Sequence, residues 1–317
     1  MKGSPFARKQ AIVWHHQPYE YFMKSFMNSC IKPSAKIITR FAPSPTGYLH
    51  LGHAYSAKYA HDFARERGGD FLLRMEDIDQ NRCKKIYEEA IIEDLSWLGL
   101  RWDGPVRRQS EHFDDYRAAL DQLDNMGLLY PCFCTRKEIQ QEIAESNRAP
   151  HDLSQSGPEG QIYPGTCRKM SEEHRQDKIK QGLRYALRLD MKKALLNVPG
   201  PLYWQDIEQG EQRAKPEILG DVVLARKDIP TSYHLSVTVD DHLQKISHVI
   251  RGKDLFYASH LHRLLQFLLG YQTPTYLHHD LLLNSQGQRY AKRDQAKSLH
   301  YMRSQGADPE NIFNAEN

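Results

Sequence analysis

Two histidines three residues apart, His50 and His53, flank Gly52 in the run Arg40-Phe41-Ala42-Pro43-Ser44-Pro45-Thr46-Gly47-Tyr48-Leu49-His50-Leu51-Gly52-His53-Ala54. On the first turn of a helix that spacing puts both imidazoles on one face, where each can donate a hydrogen bond to a phosphate oxygen. A helix start adds unpaired backbone N–H groups and the positive end of a dipole, and Gly52 has no side chain to hold a nucleotide away from the backbone. Sulfur forms a second cluster. Cys132 and Cys134 lie one residue apart, so in an extended segment both thiols point to one side. Cys167 follows in Tyr163-Pro164-Gly165-Thr166-Cys167, beyond a Gly-, Pro- and Ser-rich loop at 154–160. Three close thiolates suit tetrahedral zinc, with buried free cysteines as the competing reading; spacing leaves the fourth ligand open, and His151 and His174 are candidates. A third candidate is Glu76, the first of three acids that follow the apolar run Phe71–Met75. Acids at the carboxyl end of a strand stand where doubly wound sheets place ligand groups, although they also cap helices and solvate turns.

These residues need elements to hold them. Ile37-Ile38 reads as a strand and Ser56 to Arg67 as a helix, so the histidine run is strand, proline-punctuated turn, helix. Ile91, Ile92, Leu95 and Leu98 form the stripe of an amphipathic helix over 86–98, stopped by Gly99. Phe113, Tyr116, Leu120, Leu123 and Met126 repeat the pattern over 112–126, with Gly127 as the stop. Residues 184–190 alternate like a strand, 221–226 read as a buried strand, and 259–269 as a helix.

Composition narrows the class. The chain has 317 residues, 40% of them hydrophobic, enough for about two domains with a sizeable core. No run of 18 or more apolar residues occurs and the mean hydropathy is −0.69, so the sequence offers no membrane span. With 43 basic and 40 acidic residues the net charge is only +3, and any RNA contact must be a local patch. Five cysteines do not make a secreted disulfide framework, and a reducing cytoplasmic setting is expected. Residues 1–35 show no followable period and no signal-peptide core, and they read as an N-terminal extension of unassigned role.

At His50-Leu51-Gly52-His53 the chain resembles the class I aminoacyl-tRNA synthetases, and the preceding Arg-Phe-Ala-Pro-Ser-Pro-Thr-Gly resembles their glutamyl and glutaminyl branch. The resemblance implies a Rossmann-like α/β catalytic domain over 36–131 and 222–300. An insert over 132–221 would carry a zinc site and an acceptor-like subdomain, and 301–317 would be a tail. It implies that His50, Gly52 and His53 bind ATP, with Mg2+, and that Arg40, Phe41, Ala42, Pro43, Ser44, Glu76, Tyr233 and Arg251 bind L-glutamate. Glu76 would hold the amino group, Asp77 and Asp79 would orient the turn, the two arginines would offer fixed forks to two carboxylates, and Tyr233 would add a neutral hydroxyl. The family's mobile Lys-Met-Ser-Lys-Ser loop appears here as Arg289-Tyr290-Ala291-Lys292-Arg293, which keeps Lys292 to stabilise the ATP phosphates but lacks the first lysine and the serine.

Cys132, Cys134, Tyr163 and Cys167 match the Cys-x-Cys and Tyr-x-x-x-Cys of the glutamyl-queuosine tRNA(Asp) synthetase family, in which the tyrosine oxygen is the fourth ligand of one structural zinc. Little chain follows the loop, so no anticodon-binding domain is expected. That resemblance implies tRNA-independent activation of glutamate by a monomer, and transfer to queuosine in the anticodon stem-loop of tRNA(Asp). Two alternatives stay open: a short glutamyl-tRNA synthetase charging the 3′ end of tRNA(Glu), and an inactive RNA-binding paralogue.

Overall fold

The first strand, β1 (Ile38–Phe41), already contains Arg40 and Phe41, so the chemistry-bearing run begins on the strand itself. Helix α1 (Leu51–Arg65) starts ahead of the expected Ser56 because His50 caps it. His50 is extended, at φ −119° and ψ 173°, and its N–H donates to His53 Nδ1 at 3.2 Å. Gly69 brings the chain back so tightly that a Cβ there would lie 2.4 Å from the carbonyl oxygen of Ile37. As a result β2 (Asp70–Met75) starts directly beside β1 and runs parallel to it, Ile38 opposite Asp70. The computed structural model describes residues 36–146, 156–282 and 298–312. His151, the Arg289–Arg293 loop with Lys292, and the N-terminal extension lie outside them.

Helix α2 (Lys85–Trp97) buries Ile91 and Leu95, and after the two-residue strand β3 (Arg107–Arg108), α3 (Phe113–Asn125) buries Tyr116, Leu120 and Leu123. Met126, expected on that stripe, is 40% exposed: it is the C-cap, past the last inward turn, and Gly127 at φ +68° leads the chain away. Next come β4 (Leu129–Cys132), α4 (Arg136–Ser146), the small hairpin β5 (Ser156–Gly157) and β6 (Gly160–Gln161), and α5 (Glu172–Lys180). They are followed by β7 (Ala186–Leu189), α6 (Met191–Leu196), the hairpin β8 (Tyr203–Asp206) and β9 (Gly210–Arg213), and β10 (Val223–Ala225). Strand β7 lies between β4 and β10, antiparallel to both.

Helix α7 (Tyr233–Leu243), β11 (His248–Gly252), α8 (Ala258–Leu269), β12 (Thr275–His279) and α9 (Leu299–Ser304) complete the chain. Strands β11, β12 and β8 are parallel neighbours. Five leucines of α8, Leu261, Leu264, Leu265, Leu268 and Leu269, are buried. At about 1.5–3 kcal/mol each they outweigh surface pairs such as Lys58–Asp62, worth about 1 kcal/mol at most. The two parallel sheets meet at β1 and β11: Ser247 N–H donates to the Ile38 carbonyl at 3.0 Å and Ile38 N–H to Ser247 Oγ at 2.7 Å. From that seam the chain winds outward through β2 and β3 on one side and β12 and β8 on the other. Such a reversal opens a crevice at the carboxyl ends of the strands, the ligand position of doubly wound sheets.

Candidate active site and metal centre

A cavity of about 370 Å³ occupies that crevice. Arg40 and Phe41 reach it from the end of β1, Ala42, Pro43 and Ser44 from the turn, and Glu76 from just past β2. Tyr233 comes from the first residue of α7, Arg251 from β11, and His50, Gly52 and His53 from the start of α1. The structure therefore brings every described glutamate- and ATP-site candidate to one cavity. The turn is stitched to β2, since Glu76 N–H donates to the Pro43 carbonyl at 2.9 Å and Ser44 Oγ to the Glu76 carbonyl at 2.6 Å. The His50 and His53 rings stack with centroids 3.7 Å apart. Because His53 Nδ1 accepts from the His50 backbone, the neutral ring carries its proton on Nε2. A Cβ at Gly52 would lie 3.1 Å from His50 Cε1, so this glycine also leaves room for the His50 imidazole.

The charges in the cavity are fixed from behind. Arg40 Nε donates to Asp241 Oδ1 at 3.0 Å, and Arg74, fully buried, donates to the same oxygen at 2.9 Å. Burial opposes the charge on Asp241, but Arg40 and Arg74 hold its carboxyl below the usual range. Glu76 sits 3.6 Å from Arg74 Nη2. Burial still lifts its carboxyl to about 7, only partly countered by Arg74 and Arg40. On the opposite wall the Arg251 guanidinium donates to Ser259 Oγ at 2.7 Å, to His278 Nε2 at 3.1 Å and to Tyr233 Oη at 3.4 Å. Burial pushes His278 down to about 4, so it is neutral and gives its Nδ1 proton to Asp206 at 2.7 Å. Burial likewise lifts the Tyr233 hydroxyl to about 12, which keeps it a neutral donor. The cavity thus presents two braced guanidinium groups, one partly buried carboxyl and a histidine-capped helix start.

Sequence reasoning missed the bracing residues Arg74, Asp240, Asp241, Asp206, Ser259 and His278. A signal existed for Arg74, a charge inside the apolar run Phe71–Met75, which a buried strand tolerates only when it is paired. Asp240 shows the same logic on α7, accepting from Arg107, Gln109 and Tyr116.

The sulfur cluster is equally compact. The thiols of Cys132, Cys134 and Cys167 all lie within 4.8 Å of one another. Zinc–sulfur bonds of about 2.3 Å in a tetrahedron place sulfurs about 3.8 Å apart, so the donor set fits zinc. Tyr163 Oη is 3.4 Å from Cys134 Sγ and accepts the Cys167 N–H at 2.8 Å, which aims the phenol at the cluster. His174 is exposed on the first turn of α5 and does not join the three sulfurs. Hydrogen bonding from Cys132 lowers the Cys167 thiol, favouring a thiolate there. Among the described residues no helix is long and apolar enough to cross a membrane.

Comparison with known proteins agrees with this geometry. The family described as tRNA synthetases class I (E and Q), catalytic domain, matches residues 36–316. A glutamyl-Q tRNA(Asp) synthetase of Rhodobacter capsulatus is 46% identical over 281 residues, 87% of this chain and 98% of its own length. A glutamate–tRNA ligase of Aquifex aeolicus is 38% identical over 88% of this chain, which spans 56% of that protein. Among solved structures, a glutamate tRNA ligase from Elizabethkingia meningosepticum, crystallised in complex with its amino acid, superposes with a TM-score of 0.69 at 33% identity, over 83% of this chain and 53% of that one. The chain spans about half the length of the glutamate–tRNA ligases it matches.

Proposed function

The chain belongs to the class I tRNA synthetases of the glutamyl and glutaminyl type, a ligase family, and to their glutamyl-Q tRNA(Asp) synthetase members, and from that premise we propose that it activates glutamate with ATP before any tRNA binds and transfers it to queuosine in the anticodon of tRNA(Asp). The observation that carries this reading is the convergence of Arg40, Arg251, Glu76 and the His50/His53 pair on one cavity. Two forks suit the two carboxylates of glutamate, Glu76 suits its ammonium, and the helix start suits the ATP phosphates. Mg2+ would accompany ATP and neutralise phosphate charge. In activation a glutamate carboxylate oxygen bonds to the α-phosphorus, the bond to the β-phosphate bridging oxygen breaks, and pyrophosphate leaves. In transfer a hydroxyl oxygen bonds to the glutamyl carbonyl carbon, AMP leaves with the electron pair, and the hydroxyl proton passes to its phosphate. Lys292 supplies charge to the phosphates in the first step. The division into a catalytic part, 36–131 and 222–300, and an insert, 132–221, belongs to this reading, as do a monomeric state and a reducing cytoplasm.

Incubation with labelled glutamate, ATP and either queuosine-containing tRNA(Asp), unmodified tRNA(Asp) or tRNA(Glu) is expected to label only the first. Glutamate-dependent ATP–pyrophosphate exchange is expected with no tRNA present. Transfer should persist on tRNA whose 3′-terminal nucleotide has been removed and be abolished on tRNA oxidised with periodate before the reaction. If removal of the 3′ end abolishes transfer, the chain is instead an enzyme that charges tRNA ends.

Cys132, Cys134, Tyr163 and Cys167 would hold one structural zinc, whose contribution is to fix the loops it joins. Metal analysis is expected to give one zinc per chain for the wild type and less than about half of that for Tyr163→Phe, since zinc affinity depends on every ligand. Full retention in Tyr163→Phe together with loss in His151→Ala or His174→Ala would move the fourth position to a histidine.

A further inference from the structure

A second cavity, about 410 Å³, is walled by the β5–β6 hairpin, by Tyr163 from beside the sulfur cluster, by Arg188 and by the start of α7. Its relation to the first cavity is set by two consecutive residues: Tyr233 lines the glutamate cavity and His234 lines this one. Glu159, at the hairpin tip, reaches His234 Nε2 at 3.5 Å, and His234 Nδ1 lies 3.2 Å from His262 Nε2. His262 is buried and held neutral by that burial, so it can donate a hydrogen bond to His234 Nδ1 and leave the His234 Nε2–H directed at Glu159. The hydrogen bond from His234 holds the Glu159 carboxyl below the usual carboxylate range, and the positive charge of Arg251 adds to that effect.

We propose that this second cavity receives the acceptor nucleoside, and that Glu159 and His234 hydrogen-bond the hydroxyls of its vicinal diol. On binding, the Glu159 carboxylate accepts from two adjacent O–H groups at once, and the His234 Nε2–H, the one donor of that ring, turns from Glu159 to a diol oxygen. The cavity has the size of a small-molecule site, and its contact with Tyr163 gives the zinc cluster a purpose, namely to hold this wall in place. The inference rests on the glutamyl-transfer reading above. A vicinal diol occurs both on the cyclopentene ring of queuosine and on the 3′-terminal ribose of any tRNA, so the test separates the two.

The test uses the zinc-loaded full chain and its Glu159→Gln, Glu159→Asp and His234→Ala variants, each measured for tRNA-free pyrophosphate exchange and for transfer to queuosine-containing tRNA(Asp), intact or lacking its 3′ nucleotide. Exchange is expected to stay within about twofold of wild type, which also reports folding. Transfer efficiency is expected to fall at least about tenfold in Glu159→Gln and His234→Ala, with Glu159→Asp in between, as for lost hydrogen bonds to one substrate. Transfer equal to wild type, or transfer and exchange falling together, overturns the subsite. If the wild type labels only tRNA with an intact 3′ end, the queuosine reading fails while the diol subsite still stands or falls on the variants. If the wild type transfers to neither tRNA, both proposals fall.

Discussion

Replacing Arg251 by alanine is expected to lower kcat/KM for glutamate in tRNA-free pyrophosphate exchange by about two to three orders of magnitude. Its guanidinium is held by Ser259 and His278, and His278 is in turn held by Asp206, so the fork is oriented before substrate arrives. Hydrogen bonds to charged groups contribute about 1.5–3 kcal/mol each, and losing a two-pronged carboxylate contact removes about 3–4 kcal/mol, or 10²- to 10³-fold at about 1.4 kcal/mol per decade. Arg251→Lys keeps the charge but cannot donate to His278, Ser259 and a carboxylate in one plane, so it should recover less than about a tenth of the lost activity. Exchange within about fivefold of wild type in Arg251→Ala would remove this residue from the substrate site.

The contrast between what the sequence reveals and what it hides follows from the range of the interactions. The histidine run, the two amphipathic helices and the cysteine pattern are local, with spacings of one to four residues, and local spacing is what periodicity reads. The start of α1 escapes such a reading because His50 caps the helix through the His53 ring, a contact that no propensity scale contains. Met126 misleads because the apolar stripe continues past the last helical turn into the cap. The bracing of the cavity is hidden for a different reason. Arg74 and Asp241 are far apart in the chain and meet only because β2 lies beside β1, whose Arg40 shares the same Asp241 oxygen, so their pairing is a property of the sheet order. The pairing of β8 with β12 is equally non-local: it brings Asp206 from the segment before Tyr233 to His278 after it.

Glu76 ties that hidden bracing to function, because its burial leaves the carboxyl at about 7 even beside Arg74 and Arg40. To hold the substrate ammonium the group must be ionised. It is protonated below about pH 7, so kcat/KM for glutamate is expected to approach a tenfold fall per pH unit there, about fiftyfold between pH 7 and pH 5. In Glu76→Gln the same profile should be low and free of this limb. Stability must move the other way. The folded value lies above the ordinary carboxyl value of 4.5, so the favourable protonated form is complete at low pH and its contribution is lost as pH rises through about 7. At pH 8 Glu76→Gln should therefore be more stable than wild type, by on the order of 2–3 kcal/mol, since each tenfold change in proton affinity on folding corresponds to about 1.4 kcal/mol. A residue kept ionisable at a cost in stability, inside a cavity with two braced arginines, is explained by binding rather than by folding. A flat acid limb in the wild type, or a Glu76→Gln protein that loses stability at pH 8, would show that the carboxyl is already ionised by its arginine partners and serves the buried network alone.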